Sequence, residues 1–341
     1  MAAPVLLLVN PSAGGGKAGR ALPAVLAELQ RQGLQVRSEL TRDLAHAREL
    51  ARAAALAGET VVCLSGDGMV GAVADSLREV PGALLGVLPG GRGNDLARVL
   101  GIGQDPVSAC AVIANGGARE LDLGEVSGTA FVGIASVGFD SEANRIANQA
   151  PARLGNLVYL YGALRALAQW RPVRFEITLT GTGELTHPGT PHDGGQASDP
   201  PGERHAFTGY TVGACNSRSY GGGMQAAPDA LLDDGLLDVI VLEDVSKLRF
   251  LARILPKVFS GKHMQEPSVK AFRAREVAIS ADRPLTLYAD GDPVAELPAR
   301  VRAVPAAISV LVPAGDPPSP AFASAGTDTT GDAGPAAAGT T

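Results

Sequence analysis

Cysteine is scarce in this chain. The three present, Cys63, Cys110 and Cys215, lie far apart and show no metal-ligand spacing. That excludes a disulfide framework and a thiolate metal centre, and it suits a reducing cytoplasm. Long apolar runs are also missing, since none approaches the ~18 residues of a membrane span. The opening "MAAPVLLLVNP" has no basic segment, and its apolar run is too short for a secretory signal. Any membrane contact is therefore expected to be peripheral. Nor is there a surplus of positive charge. Lys and Arg number 29 against 35 Asp and Glu, a net charge of −6, so no global attraction to nucleic acid follows.

Glycine, by contrast, is abundant. Of 341 residues, 43 are Gly and 24 are Pro, while 45% are hydrophobic. The length suggests two domains, the apolar share is enough for ordinary cores, and the glycines predict many turns and phosphate-type loops.

The first third alternates strand and helix. "VLLLV" (5–9) reads as a strand buried on both faces. Leu22, Val25, Leu26 and Leu29 then recur at helical spacing, with Gly33 as the stop. "LQVRSELT", "TVVCL" and "ALLGVLP" are further strands, separated by helices over "DLAHARELARAAALAG" and "VGAVADSLREV". This order implies an α/β unit with a parallel sheet, whose ligands bind at the carboxyl ends of the strands. From about residue 120 the strands follow one another: "ELDLGEV", "TAFVGIASVGF", "VRFEITLT", "FTGYTVGACN", "GLLDVIVLE", "REVAISA" and "LTLYADGDPV". Helical runs are fewer, chiefly near 154–170 and 247–259, so the second domain is mostly β. The chain divides into an α/β domain over 1–120, a β-rich domain over 121–314 and a disordered tail over 315–341, whose Ala, Gly, Pro, Ser and Thr offer little to bury. Residues 181–206 lack an apolar period and read as a flexible loop. His187 and His192 inside it are taken as exposed rather than metal-ligating.

Three glycine-rich loops fall at strand ends and are expected to converge on one crevice. They are Asn10-Pro11-Ser12-Ala13-Gly14 with Gly15-Gly16-Lys17, then Gly66-Asp67-Gly68-Met69, then Pro89-Gly90-Gly91-Arg92-Gly93-Asn94-Asp95. Glycine lets backbone N–H groups approach a polyphosphate, and the helix after each loop adds positive dipole. "GGGKAG" is not a P-loop, and the glycines do not match the dinucleotide fingerprint. For Asp67 alone, a turn acid ahead of a helix is the competing reading.

Together with "APDALLDDGLLDVIVL" and "YADGDPV" downstream, these loops resemble, in order, the signatures of the diacylglycerol kinase catalytic family. "PGGRGNDLAR" is the most specific of them. The family includes bacterial diacylglycerol kinases, sphingosine kinases and ceramide kinases, and its core is related in fold to NAD kinases and phosphofructokinases. The resemblance implies an NAD kinase-like α/β domain joined to a β-sandwich. It also implies transfer of the γ-phosphate of ATP, with Mg²⁺, to a lipid hydroxyl, diacylglycerol foremost. The partners it implies are ATP, a lipid alcohol and a peripheral membrane surface, with no nucleic acid and a homodimer as one possible assembly. The alternatives are a sphingosine-type or other lipid-alcohol kinase, an NAD kinase-like enzyme, or a catalytically weak lipid-binding protein.

Carried over residue by residue, the resemblance assigns the nucleotide to Asn10, Pro11, Ser12, Ala13, Gly14, Thr41, Gly66, Asp67, Gly68, Met69, Val70, Gly71 and Arg92. Asp67 is expected to act through Mg²⁺ or water, because a carboxylate beside polyphosphate needs a cation. The chain departs from the family pattern at Ser65, Met69, Gly71-Ala72 and Arg92. Arg92 either offsets the lost hydroxyls with charge-assisted phosphate contacts or points into solvent. Thr41 is otherwise a plain N-cap for the next helix. Asp292 fills the position of the family's proton acceptor, one methylene shorter than the usual Glu, on an Asp-Gly turn read as a hairpin. A structural Mg²⁺ is implied at Asp234 with the carbonyls of Leu231 and Leu236. The stretch 153–175 is either an amphipathic helix at the lipid cleft or a core helix. The basic run from Lys247 to Arg275 either meets anionic lipid or is a solvated face.

Overall fold

The computed structural model describes residues 3–148, 157–182, 202–315 and 317–323. The elements run β1 (Val5–Val9), α1 (Ala13–Arg31), β2 (Val36–Leu40), α2 (Leu44–Leu56), β3 (Thr60–Ser65), α3 (Asp67–Leu77), β4 (Leu84–Pro89), α4 (Asp95–Val99), α5 (Cys110–Asn115), β5 (Gly117–Val126), β6 (Thr129–Phe131), β7 (Ile134–Gly138), α6 (Phe139–Asn148) and α7 (Leu157–Gln169). They continue with β8 (Val173–Thr180), β9 (Glu203–Cys215), β10 (Ser219–Tyr220), β11 (Met224–Gln225), β12 (Leu237–Glu243), α8 (Lys247–Arg249), a π turn (Phe250–Ile254) and α9 (Leu255–Val258). A 3₁₀ turn (Lys262–Gln265) leads to β13 (Val269–Ala274), β14 (Glu276–Ala281), β15 (Thr286–Ala289), β16 (Asp292–Glu296) and β17 (Ala299–Val312).

The first unit is the expected α/β layer. β2, β1, β3 and β4 pair in parallel in that order. β1, β3 and β4 are buried along nearly their whole length. β2 is the exposed edge, where Arg37 and Glu39 discourage pairing with another chain. Gly33 (φ 83°) and Gly58 (φ 78°) end α1 and α2 in the left-handed conformation. Asp43 caps α2 by accepting the His46 N–H at 2.8 Å, so the N-cap is Asp43 and not Thr41.

The second unit is mostly β, as expected, and its strands pair antiparallel, with β15, β7, β9, β8 and β14 side by side. Several elements differ from the sequence reading. "TAFVGIASVGF" is not one strand: it breaks between Phe131 and Ile134, and Phe139 opens α6. The polar residues of α6 between Ala143 and Ile146 hid its helical period. The run 247–259 is helical but widens into the π turn at its middle.

The chain also returns to its first unit. Val310 of β17 pairs in parallel with Leu85 of β4, and Ile308 to Val312 join the N-terminal core. A boundary at residue 121 therefore divides the sequence but not the packing. The expected disordered tail needs correction at its start. Ala321 and Phe322 are buried in the N-terminal core, Ser319 Oγ donates to Val99 O at 2.7 Å, and Leu232 N donates to Ala321 O at 2.8 Å. One aromatic anchor outweighs a low-complexity background. Of the loop read over 181–206, residues 203–206 belong to β9, whereas 183–201, with His187 and His192, lie outside the described residues, as do 324–341.

Candidate active site

The carboxyl ends of β1, β3 and β4 release the three glycine loops on one side of the sheet. In the first, Asn10 Oδ1 accepts the Ser12 N–H at 3.1 Å. Gly14, Gly15 and Gly16 follow with φ of 59°, 68° and 84°, a path closed to most side chains. The loops touch. A Cβ on Gly14 would lie 2.6 Å from Gly90 O, and one on Gly66 would lie 3.1 Å from Gly91 Cα. A Cβ on Gly93 would lie 3.2 Å from carboxylate oxygens of both Asp67 and Asp95. The expected convergence is therefore present, and glycine permits it sterically.

Carboxylates face this crevice. Asp67 opens α3 and accepts the Leu96 N–H, at the start of α4, at 3.1 Å, which ties the second loop to the third. Asp95 accepts the Gly222 N–H at 2.7 Å and pairs with Arg98 at 3.1 Å. Burial raises its pKa against the Gly222 bond, and the Asp67 charge adds to the rise. Asp290 is partly buried and accepts three backbone N–H groups, from Val132 at 2.8 Å, Gly133 at 2.9 Å and Ile134 at 3.1 Å. Burial nonetheless pushes it up to about 6, with the Asp67 charge contributing.

Asp290 (φ 48°) and Gly291 (φ 96°) form the two-residue turn between β15 and β16, the left-handed pair that a type I′ hairpin requires. The turn presents Asp292, exposed and free of the backbone cage around Asp290. From α6, Asn144 donates to Gly291 O at 3.0 Å and steadies the turn. Deeper, Asp140 of α6 takes hydrogen bonds from the Thr211 and Ser136 side chains; burial raises its pKa and those bonds oppose the rise.

These groups line one cavity of about 820 Å³. Asp67, Arg92, Asp95, Asp290 and Asp292 make its polar end. Phe139, Ala163, Ile240, Leu242, Phe250 and Ile254 are among its apolar walls. Arg92 is exposed there. Of the residues expected from sequence, Gly66, Asp67, Gly68, Val70, Gly71, Arg92 and Asp292 line this cavity. Gly71 stands so close to Asp290 that a Cβ would lie 3.3 Å from Oδ2. Asn10, Pro11, Ser12, Ala13 and Gly14 do not line the cavity, although Gly14 abuts the third loop. Thr41 and Met69 are buried against each other beneath it: the Thr41 hydroxyl donates to Val9 O at 3.2 Å and lies 3.5 Å from Met69 Sδ. Met69 is thus a packing residue, and Arg92 does not share its surroundings.

The residues expected to hold a structural metal, Leu231, Asp234 and Leu236, lie just before β12. Arg273 pairs with the Asp234 carboxylate, and Leu236 engages Asp234 through its N–H at 3.0 Å. Among the described residues no cluster of three or more His, Cys, Asp or Glu is spaced to hold a metal.

Sequence reasoning missed Asp95, Asp140, Asn144 and the Gly221-Gly222-Gly223 turn, with φ of 62°, 87° and 105°, that meets Asp95. Three adjacent glycines after "NSRSY" were the available signal. Asp140 and Asn144 carried none, because nothing in the sequence announced α6.

Comparison with known proteins agrees with this geometry. Residues 4–126 match the model of the diacylglycerol kinase catalytic domain, and residues 133–312 match the YegS C-terminal NAD kinase beta sandwich-like domain. A diacylglycerol kinase of Mycobacterium tuberculosis is 33% identical over 91% of this chain and 95% of its own length. A Pseudomonas aeruginosa protein named "Probable lipid kinase YegS-like" is 31% identical over 92% of this chain and 95% of its own. A crystal structure of a Bacillus anthracis diacylglycerol kinase superposes with a TM-score of 0.68 at 19% identity, covering 91% of this chain and 96% of that one, and so shares the fold.

Proposed function

From the premise that the chain belongs to the diacylglycerol kinase catalytic-domain family of lipid kinases, we propose that it moves the γ-phosphate of ATP to the free hydroxyl of a lipid alcohol. Diacylglycerol is the foremost acceptor, giving phosphatidic acid. One observation carries this reading: a single cavity joins a polar end, built from glycine loops and carboxylates, to an apolar chamber. An acceptor with a hydroxyl head and acyl chains spans both ends, whereas a second nucleotide such as NAD leaves the apolar chamber unused. The acceptor is drawn from a membrane surface, which the protein meets peripherally. No helix among the described residues is long and apolar enough to cross a membrane.

In this reading Asp292 accepts the proton of the acceptor hydroxyl as its oxygen forms the new P–O bond and ADP departs. Asn144 holds the turn that aims Asp292. The glycines of the three loops admit the phosphate chain, and Arg92 offers charge-assisted hydrogen bonds to it. The donor set suits Mg²⁺ accompanying ATP. Asp67, Asp95 and Asp290 are close enough for Asp67 to raise both neighbours, so a polyanion beside them requires a cation. The lack of a complete protein-only metal cluster among the described residues fits an ion that takes one or two carboxylates plus phosphate oxygens. Asp67 would hold it, and the chemistry supplied is neutralisation of phosphate charge. A second, structural Mg²⁺ would be held by Asp234 with the carbonyls of Leu231 and Leu236, beside the Arg273 guanidinium that pairs with the same carboxylate.

The test is purified protein with labelled ATP and a panel of lipid alcohols, NAD included. Label in phosphatidic acid is expected. Label in NADP, or in no product at all, would overturn the proposal.

A further inference from the structure

The segment from α8 through the π turn to α9 has two faces with different work. Its inner face, Phe250, Ile254, Leu255 and Val258, lines the cavity. Its outer face carries Leu248, Ala252, Pro256 and Phe259, all exposed, at intervals of four, four and three residues. That spacing keeps them on one side of a helix, and the π turn shifts the register only partly. Leu248 is 77% and Phe259 is 58% exposed, the largest exposures among the bulky apolar residues described apart from Leu56. Phe259 also lines the cavity, so the outer stripe ends at its mouth.

Charge singles out the same segment. In a protein of net charge −6, residues 245–265 contain no Asp or Glu but carry Lys247, Arg249, Arg253, Lys257 and Lys262. The next acid, Glu266, is nearly buried and is taken up by Lys257 at 2.5 Å and Arg249 at 3.4 Å. Arg253 and Lys262 stay exposed beside the apolar stripe. Apolar side chains pointing outward, cations flanking them and a lipid-sized chamber behind them match the layered chemistry of a bilayer, with acyl chains below anionic phosphates. A second copy of this chain fits less well, since a twofold contact would bring the same cations face to face.

Resting on the lipid-kinase reading above, we infer that the α8–π–α9 segment is the bilayer-docking lip of the cavity. Leu248 and Phe259 enter the acyl region, and Arg253 with its neighbouring cations meets anionic headgroups. The acceptor then passes from the leaflet along the inner face without crossing water. Anionic lipid is the occupant, so concentrated salt should release the protein.

Leu248 and Arg253 do not line the cavity, which makes Leu248→Ser, Arg253→Gln and their combination usable probes. Flotation of the full chain on phosphatidylcholine vesicles with and without phosphatidylglycerol gives the partition. Wild type is expected to prefer the anionic vesicles. Arg253→Gln should lower that partition roughly fivefold and Leu248→Ser roughly tenfold. Turnover of a short-chain diacylglycerol held below its aggregation threshold should stay at the wild-type value in both variants, while turnover of vesicle-embedded diacylglycerol falls with binding. Variants that partition like wild type would overturn the inference. So would a wild type indifferent to lipid charge, or a dimer in light scattering that Leu248→Ser dissociates. Leu248-dependent binding by a protein that phosphorylates no acceptor would support the docking lip and sink the kinase reading alone.

Discussion

Replacing Gly90 by alanine tests how close the phosphate loops must lie. The new Cβ would sit 2.9 Å from Ala18 Cβ, 3.0 Å from Ser65 N and 3.2 Å from Leu64 C. Carbon atoms pack best at about 3.5–4.0 Å, so the third loop must retreat from the end of β3 by about 0.6–1 Å. Two of the three obstructing atoms are backbone and cannot rotate aside. The retreat strains the Gly90 N–H bond to Ser65 O, now 2.8 Å, and draws Arg92 and Asp95 away from Asp67. Overpacking of this kind costs about 1–3 kcal/mol. A misplacement near 1 Å in a site that works by positioning can lower turnover by about 10²-fold. Thermal unfolding and steady-state kinetics on the same preparation separate the two effects. Gly103→Ala is the control, because a Cβ there meets nothing within 4 Å. A Gly90→Ala enzyme with wild-type stability and turnover would show that the loops do not need this approach.

Asp292→Asn should lower kcat by about 10²–10⁴-fold and leave ATP affinity unchanged, with Asp292→Glu retaining substantial activity; loss of ATP affinity at preserved kcat would move this residue into the nucleotide site. Phe322→Ala empties a buried position of the N-terminal core and should cost about 3 kcal/mol in a denaturant titration; an unchanged midpoint would return the tail to disorder. Burial pushes Asp122, Asp238 and Asp290 up to about 6. Between roughly pH 4 and 6 the folded state therefore holds protons that the unfolded chain has released, and these groups lower stability as pH rises through that window. Asp238→Asn should flatten that part of the profile, and a melting curve series in which variant and wild type run parallel would refute the assignment.

The sequence alone determined the features whose causes are local. "VLLLV" and "TVVCL" are short, apolar or β-branched runs bounded by turn residues, which read as buried strands. Gly33 and Gly58 end helices because they accept positive φ, and Asp290-Gly291 makes a two-residue hairpin for the same reason. Alternation of such elements was enough for a parallel α/β unit followed by β-rich chain, and the three glycine loops marked its functional edge. Tertiary structure alone supplied the partners of the acids. The resemblance set Asp292 apart in "ADGDPV"; only the fold showed that Asp290 accepts N–H groups some 157 residues away, while Asp292 lines the same cavity and is exposed. Asp234, expected as a metal ligand, also pairs with Arg273, 39 residues on. Met69 looked like a lost phosphate donor and proved to pack on Thr41. A carboxylate's role follows from its burial and from the charges and donors around it, and those partners come from distant parts of the chain that only folding brings together.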